Sequence, residues 1–320
     1  MGTETQSGAG PGHAPAVMSR EDFDMPAQRD LQLALRVMQI RHWQHIVNEA
    51  MKKGVMGAVH TAFGHEAIAV AVSTMMQTED QLVLTHRNIA YNLARAGALR
   101  PIYDEYKQRP SGVSRARLGS MNMANPPRGL PYTSSILGNN MPVACGLALA
   151  QQVLGKSGIV TVLTGDGAME EGTFYESLQF SKSQKLRIIF VVENNKYAMA
   201  STPEDRRCPI AIEHICRAMD IPFLKLEGNL VADYAMQLEE CRRAVLDRQG
   251  PSCIEVDLLN LNRHAGATPG WPTDPMNIDA SRGLVVRESV YDPVHVLKQR
   301  LAPDVYAGIE QQVLSETWSD

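Results

Sequence analysis

Two short apolar runs, Ile159-Val160-Thr161-Val162-Leu163 and Ile188-Ile189-Phe190-Val191-Val192, constrain the fold of this chain more than any other feature. Both are rich in β-branched residues and neither alternates with polar side chains. That is the pattern of strands buried on both faces of a parallel sheet. The segment after Gly172 reads as the helix between them: Thr173 stands at an N-cap position and Glu176, three residues on, completes the pattern of a capping box. Each run ends in oxygen-bearing side chains, the first in Gly165-Asp166-Gly167 and the second in Asn194-Asn195. Open α/β sheets bind ligands at this strand edge. A glycine on either side of Asp166 lets a ligand approach the backbone with no Cβ in the way.

The rest of the chain continues the alternation. Residues from about Ala27 to Lys53 read as a long helix with apolar positions at Leu31, Leu33, Val37, Ile40, Trp43, Ile46 and Val47. Gly64 to Met76 reads as a second, small-residue helix. Leu82-Val83-Leu84 is a short strand with Thr85-His86-Arg87 at its end. A polar, Gly/Pro-rich loop from Arg109 to Ser135 is of the kind that covers a site. Pro142 opens a helix in which Ala144, Gly146, Ala148 and Ala150 allow tight packing. Strands near Phe223 to Leu226 and Cys253 to Val256 flank a helix from Ala232 to Arg248, and Arg263 to Asn277 is a further loop. The expected fold is α/β, a parallel sheet with helices on both faces. With 320 residues, 44% of them apolar, the chain can bury a large core. It divides into a flexible Gly/Ala/Pro-rich tail, residues 1–20, and one domain, residues 21–320, that finishes in a helical segment.

The unit running from Gly165-Asp166-Gly167 to Asn194-Asn195 resembles the diphosphate-binding motif of thiamin-diphosphate enzymes. From about residue 27 to residue 300 the chain is similar to the alpha subunit of the decarboxylating component of 2-oxo acid dehydrogenases, the pyruvate, branched-chain and acetoin group. The resemblance implies thiamin diphosphate and Mg2+ as cofactors. Magnesium takes near-octahedral oxygen ligands at about 2.0–2.1 Å. The implied protein share is the Asp166 carboxylate, the Asn195 amide oxygen and the backbone carbonyl of Tyr197, with Gly165, Gly167 and Ala168 against the diphosphate. The family's aromatic–arginine pair stands here as His86-Arg87. A guanidinium fork suits a phosphate better than a lysine would. Ile136-Leu137-Gly138 matches a loop whose backbone contacts the aminopyrimidine ring.

The family's His, three residues and Gly-Gln-Glu-Ala appear as His60 and then Gly64-His65-Glu66-Ala67, with His65 in place of Gln. Its His-x-His-Ser appears as Asn262-Arg263-His264-Ala265, which keeps the second His and loses the Ser that some members have modified by kinases. His60 and His264 are the implied catalytic residues, handling protons and anionic intermediates, and His264 also lies against the cofactor. Two further departures are His86 where Tyr is usual and Asn122, in Gly119-Ser120-Met121-Asn122, where the family has His.

In the family it resembles, the glutamate that activates the cofactor ring sits in a second, related domain, and a chain of this length has room for one such domain. The resemblance therefore implies a separate beta subunit, an assembly of two alpha and two beta chains, and a chain inactive alone. The substrate implied is a 2-oxo acid, with a lipoyl-bearing acyltransferase receiving the acyl unit. The departures leave open a two-subunit carboligase that passes a two-carbon or acyl unit to an aldehyde or ketone. A net charge of −4 and the lack of any apolar run as long as a membrane span give no reason to expect nucleic-acid or membrane partners. Five cysteines, an odd number with no CxxC pair, fit free thiols in a reducing cytosol, so the expected location is the cytoplasm.

Overall fold

The computed structural model describes residues 20–199, 201–262, 264, 278, 280–316 and 318, with backbone alone at 20–27 and 280. The expected tail lies outside these residues except for Arg20, which already belongs to the first helix, and so does the expected loop Arg263 to Asn277 except for His264.

The chain opens with α1 (Arg20–Lys52), α2 (Glu66–Met75), β1 (Gln81–Thr85), α3 (Ile89–Ala96), α4 (Arg100–Tyr106) and β2 (Tyr132–Ser134). It continues through α5 (Asn140–Val153), β3 (Val160–Gly165), α6 (Gly172–Ser183), β4 (Ile188–Asn194), α7 (Pro203–Arg206) and α8 (Ile212–Ala218). It closes with β5 (Phe223–Leu226), α9 (Val231–Arg248), β6 (Ser252–Asp257), α10 (Pro293–Arg300) and α11 (Pro303–Leu314). The strands form one sheet in the order β2-β1-β3-β4-β6-β5, and every pairing is parallel. From the neighbours β1 and β3 the chain runs outward in opposite directions, to β2 on one side and to β4 on the other. This is the switch point at which such sheets leave a crevice beyond their strand ends.

Successive side chains of a strand face opposite sides, and here both sides are dry. Leu82, Leu84, Ile159, Leu163, Ile189, Val191, Ile254 and Val256 join a core with α1, α2, α3 and α9. Val83, Val160, Val162, Ile188, Phe190, Val192 and Cys253 join a second core with α5, α6 and α8. Each fully buried aliphatic side chain of this kind contributes about 1.5–3 kcal/mol relative to exposure. This two-sided burial is why the strands read as continuous apolar runs.

An ion cluster ties the first core together. Arg41 on α1 donates from Nε to Glu66 Oε1 at 2.6 Å and from Nη2 to Glu66 Oε2 at 3.1 Å. Its Nη2 also lies 2.9 Å from Asp292 Oδ1, and its Nη1 donates to the Leu284 carbonyl at 2.8 Å. Arg41, Glu66 and Asp292 are all fully buried. Glu66 further accepts from Gln44 Nε2 and from the Gly64 N–H, so the turn before α2 is held from its own helix.

Three local expectations need correction. The stretch from Arg109 to Ser135 holds the edge strand β2. α5 begins at Asn140, two residues before Pro142, because a proline is tolerated in the first turn, where its missing N–H would have no helical partner. The capping box at α6 does not form. The helix starts at Gly172, so Thr173 is already inside the first turn, and its hydroxyl donates to the Gly138 carbonyl at 3.2 Å. No helix among the described residues is long and apolar enough to cross a membrane.

Candidate functional site

A cavity of about 250 Å³ lies beyond the carboxyl ends of β1, β3 and β4. Every residue singled out from the sequence as a cofactor, metal or catalytic candidate lines it: His60, His86, Arg87 and His264; Ile136, Leu137 and Gly138; Gly165 to Ala168; Asn195 and Tyr197.

One wall is basic. β1 delivers His86 and Arg87 just before α3 begins, and the loop ahead of α2 delivers His60. The ring centroids of His60 and His86 are 4.7 Å apart, those of His60 and His264 5.0 Å, and those of His86 and His264 5.5 Å. Burial, reinforced by the charge of Arg87, pushes the imidazoles down to about 3 for His60 and about 4 for His86 and His264. All three are therefore neutral near pH 7. His60 Nδ1 is sealed from solvent with no hydrogen-bond partner among the described residues. Arg87 is 4% exposed; burial pulls it down to about 10, against the opposing charge of Glu193, so it stays a cation. Its Nη1 donates to the Thr61 carbonyl at 2.5 Å and its Nη2 to the His264 carbonyl at 3.0 Å. The fork thus joins the loop before α2 to the segment after β6.

The opposite wall supplies oxygens. Asp166 follows β3 and is 1% exposed. Burial raises its carboxyl above the ordinary value, while the Arg206 guanidinium, 3.0 Å from Oδ2, works against that rise. Asn195 follows β4, and its Oδ1 accepts the Tyr197 N–H at 3.1 Å in a tight side-chain turn. An amide oxygen has two lone pairs, so that bond leaves one for another partner. Between these walls the backbone is bare: a Cβ built at Gly165 meets no atom within 4 Å. At Gly167 a Cβ would fall 2.5 Å from the Ala198 Cβ, so glycine is what lets the two turns pack together. Gly138 has φ +76°, and a Cβ there would sit 2.6 Å from Thr173 Oγ1. The rim is apolar and open, with Ile136 67% and Leu137 53% exposed and with Met121, Tyr197 and Met199 also exposed.

Three contributors were missed from the sequence. Glu193 lines the cavity and shares the side of β4 occupied by Ile189 and Val191, which turns it toward α2. His65 Nδ1 lies 3.0 Å from its Oε1, and Tyr91 donates to the same oxygen at 2.7 Å. Burial alone would raise the Glu193 carboxyl, but His65, Tyr91 and Arg87 outweigh it and hold it low. The second is Asn140, whose side-chain amide donates to the Leu163 carbonyl and fixes the start of α5 against β3. The third is Arg206, the partner of Asp166. Asn122, where the resemblance led to a histidine, is not on the cavity wall; its Oδ1 accepts the Ser135 N–H at 3.1 Å and so shapes the segment that carries Ile136. Behind that segment Glu105 gathers the N–H groups of Ser114, Ala116, Leu118 and Gly119, giving the loop a fixed frame.

A cation and three neutral imidazoles face a carboxylate, an amide oxygen and bare glycine backbone. This donor set fits a diphosphate with a bound magnesium ion: the sealed, unpartnered His60 Nδ1 and the open α-carbon at Gly165 both leave contacts for a ligand to make.

The profile of the dehydrogenase E1 component family matches residues 30–301. The alpha subunit of acetoin:2,6-dichlorophenolindophenol oxidoreductase from Bacillus subtilis (strain 168) is 28% identical over 304 residues, 92% of this chain and 91% of that protein. The mitochondrial pyruvate dehydrogenase E1 component subunit alpha of Chaetomium thermophilum is 29% identical over 251 residues, 78% of this chain, which spans 59% of that protein. A transketolase structure from Pichia stipitis superposes with a TM-score of 0.56 and 15% identity, over 89% of this chain and 44% of its own, a likeness of fold alone. The chain belongs to the dehydrogenase E1 component family.

Proposed function

We propose that this member of the dehydrogenase E1 component family is the alpha subunit of a two-subunit, thiamin-diphosphate-dependent enzyme that decarboxylates a 2-oxo acid and passes on the acyl unit. The observation that carries the reading is the opposition across one cavity of Arg87 and three histidines to Asp166, Asn195 and Tyr197. Thiamin diphosphate, when bound, supplies the nucleophilic carbon and the electron sink for loss of carbon dioxide. The chain's own residues bind and orient. Arg87 takes phosphate oxygens, Gly165 and Gly167 bring backbone close, and Asp166, Asn195 and the Tyr197 carbonyl hold Mg2+. Ile136 to Gly138 present backbone to the aminopyrimidine ring. A phosphate brought beside His60 and His264 opposes the burial that keeps them neutral, and a nearby negative charge favours the protonated imidazole. The two rings can then hold a proton near the diphosphate.

One feature of the cavity supports a separate beta subunit. Its two lining carboxylates are already engaged, Asp166 by Arg206 and Glu193 by His65 and Tyr91. In this reading a third carboxylate, the activating glutamate, comes from a beta subunit seated on the apolar rim, in an assembly of two alpha and two beta subunits. The acyl acceptor in this reading is a lipoyl-bearing acyltransferase. His86 beside the diphosphate end and Asn122 behind Ser135 also suit a small aldehyde or ketone acceptor. The described cysteines are free thiols, which fits a reducing compartment such as the cytoplasm.

Co-expression with a beta subunit, followed by calorimetric titration of thiamin diphosphate with and without Mg2+, tests the reading. Tight, Mg2+-dependent binding by the assembly, abolished by Asp166→Ala, is the expected result. Binding that ignores both Mg2+ and Asp166→Ala would overturn it.

A further inference from the structure

Arg206, the last residue of α7, spends each of its three nitrogens on a different group. Nη2 donates to Asp166 Oδ2 at 3.0 Å, Nε to Glu170 Oε1 at 3.0 Å, and Nη1 to the Ser201 carbonyl. Arg207 donates from Nε to the same Glu170 oxygen at 3.1 Å. The helix that carries Arg206 is pinned at its start, where Asp205 accepts both the Thr202 N–H and the Thr202 hydroxyl at 2.9 Å. The Arg206 side chain is 14% exposed, and two of its three bonds do not involve Asp166. Its position therefore does not depend on what Asp166 does.

The charges around the three candidate metal ligands cancel. Asp166 and Glu170 are matched by Arg206 and Arg207. Lys196, between Asn195 and Tyr197, is matched by Asp257 at 2.8 Å. The three candidate ligands offer a bare dication one carboxylate, already shared with a guanidinium, and two neutral oxygens, one of an amide and one of a carbonyl. Magnesium gives up its water reluctantly, and sites of this kind take it by one or two carboxylates together with phosphate oxygens. A diphosphate brings the missing negative charge; the cation alone does not.

We infer that Arg206 is a positioning residue that makes metal binding at Asp166 conditional on the diphosphate: as the standing counter-ion of one carboxylate oxygen it disfavours a free divalent cation and leaves the other oxygen for a cation that arrives with phosphate. This rests on the cofactor reading proposed above. The consequence has an unusual sign. If Arg206 merely supported the loop, removing it would weaken every form of metal binding. As a counter-ion, its removal strengthens the binding of metal alone.

The test uses the full chain assembled with its beta subunit and Mn2+ as a spectroscopic stand-in for Mg2+, titrated alone and with thiamin diphosphate, with thermal unfolding as a check of folding. Arg206→Gln should bind Mn2+ alone about tenfold more tightly than the unaltered chain, roughly 1.4 kcal/mol, and Asp166→Ala in the same background should abolish the gain. Arg206→Lys keeps the charge and should stay close to the unaltered chain. If Arg206→Gln binds Mn2+ alone no better, while the unaltered chain binds Mn2+ with thiamin diphosphate through Asp166, the inference falls and the cofactor reading stands. If the assembly built on the unaltered chain shows no Asp166-dependent binding of Mn2+ with thiamin diphosphate, the cofactor reading falls and takes the inference with it.

Discussion

Replacing His86 by Gln in the cofactor-free chain should flatten the pH dependence of its stability. Burial, Arg87 and His264 push His86 down to about 4, while Glu193 alone pulls the other way. An unfolded histidine titrates near 6.5. Between those values the unfolded chain binds the proton and the folded chain does not, so stability rises with pH and is lost as pH falls from about 6.5 toward 4. Between pH 7 and pH 5 the span covered is about 1.5 pH units, and at about 1.4 kcal/mol per unit His86 accounts for roughly 2 kcal/mol of lost stability. His60 and His264, held down in the same way, add to the loss in both proteins. Carboxylate contributions are also common to both, so the difference between the two proteins isolates His86. Urea unfolding at pH 7 and pH 5 measures it: the unaltered chain should lose about 2 kcal/mol more than His86→Gln across that interval. Equal losses would show that His86 titrates normally in the folded chain, and the account of its imidazole as held well below the ordinary histidine value would be wrong.

Arg41→Met leaves Glu66 and Asp292 buried without their cation and should cost about 3–5 kcal/mol in urea unfolding at pH 7; a cost below about 1 kcal/mol would mean that the amide donors around both carboxylates suffice. The Asp292 carboxyl, which burial would raise, is held low by Arg41 and by the Arg287 and Val286 N–H groups, so its stabilisation is complete above the ordinary aspartate value and fades as pH falls toward its depressed one. Arg87→Lys keeps a positive charge but cannot bridge the Thr61 and His264 carbonyls at once. Affinity for Mg2+ with thiamin diphosphate in the assembled enzyme should drop about 10- to 100-fold by calorimetry, and an unchanged affinity would show that charge alone matters. Gly167→Ala drives a Cβ to 2.5 Å from the Ala198 Cβ and should cost about 1–3 kcal/mol while weakening Mg2+-dependent cofactor binding; an unaltered melting temperature and affinity would contradict the tight packing of the two turns.

The parallel sheet was legible because burial on both faces leaves a continuous apolar run, and β3, β4 and β6 are each covered by helices on two sides. The edge strand β2 was not. It has three residues, Tyr132 to Ser134, inside a stretch full of Gly and Pro, too short for any period to register. The capping box at Thr173 failed because the helix starts at Gly172, with Glu171 as its N-cap, so Thr173 lies inside the first turn and its hydroxyl donates to the carbonyl of Gly138, distant in sequence.

The same division runs through the site. Residues at the ends of strands could be named in advance because register carries them there: Gly165 stands opposite Glu193 and Asn194 opposite Asp257, so Asp166 and Asn195 leave the sheet side by side. The groups that set their charge come from elsewhere. Arg206 lies 40 residues beyond Asp166, His65 lies 128 residues before Glu193, and His264 lies 177 residues beyond Arg87. No periodicity links such pairs. What can be said from sequence is weaker but physical: a carboxylate placed at the end of a strand buried on both sides will be sheltered from water, and a sheltered charge needs a partner. Glu193, one residue before Asn194 on such a strand, met that condition and could have been flagged for it. The partner's identity could not, because many cations in the chain would satisfy it and only the folded path of α7 and α2 selects Arg206 for Asp166 and His65 for Glu193. His65 makes the point most sharply, since a histidine in place of an amide looks like a minor change along the chain. In the fold it sets an imidazole between Glu193 and the Asn260 side chain, 2.8 Å from its Nε2, and so links the cavity floor to the segment that leads to His264.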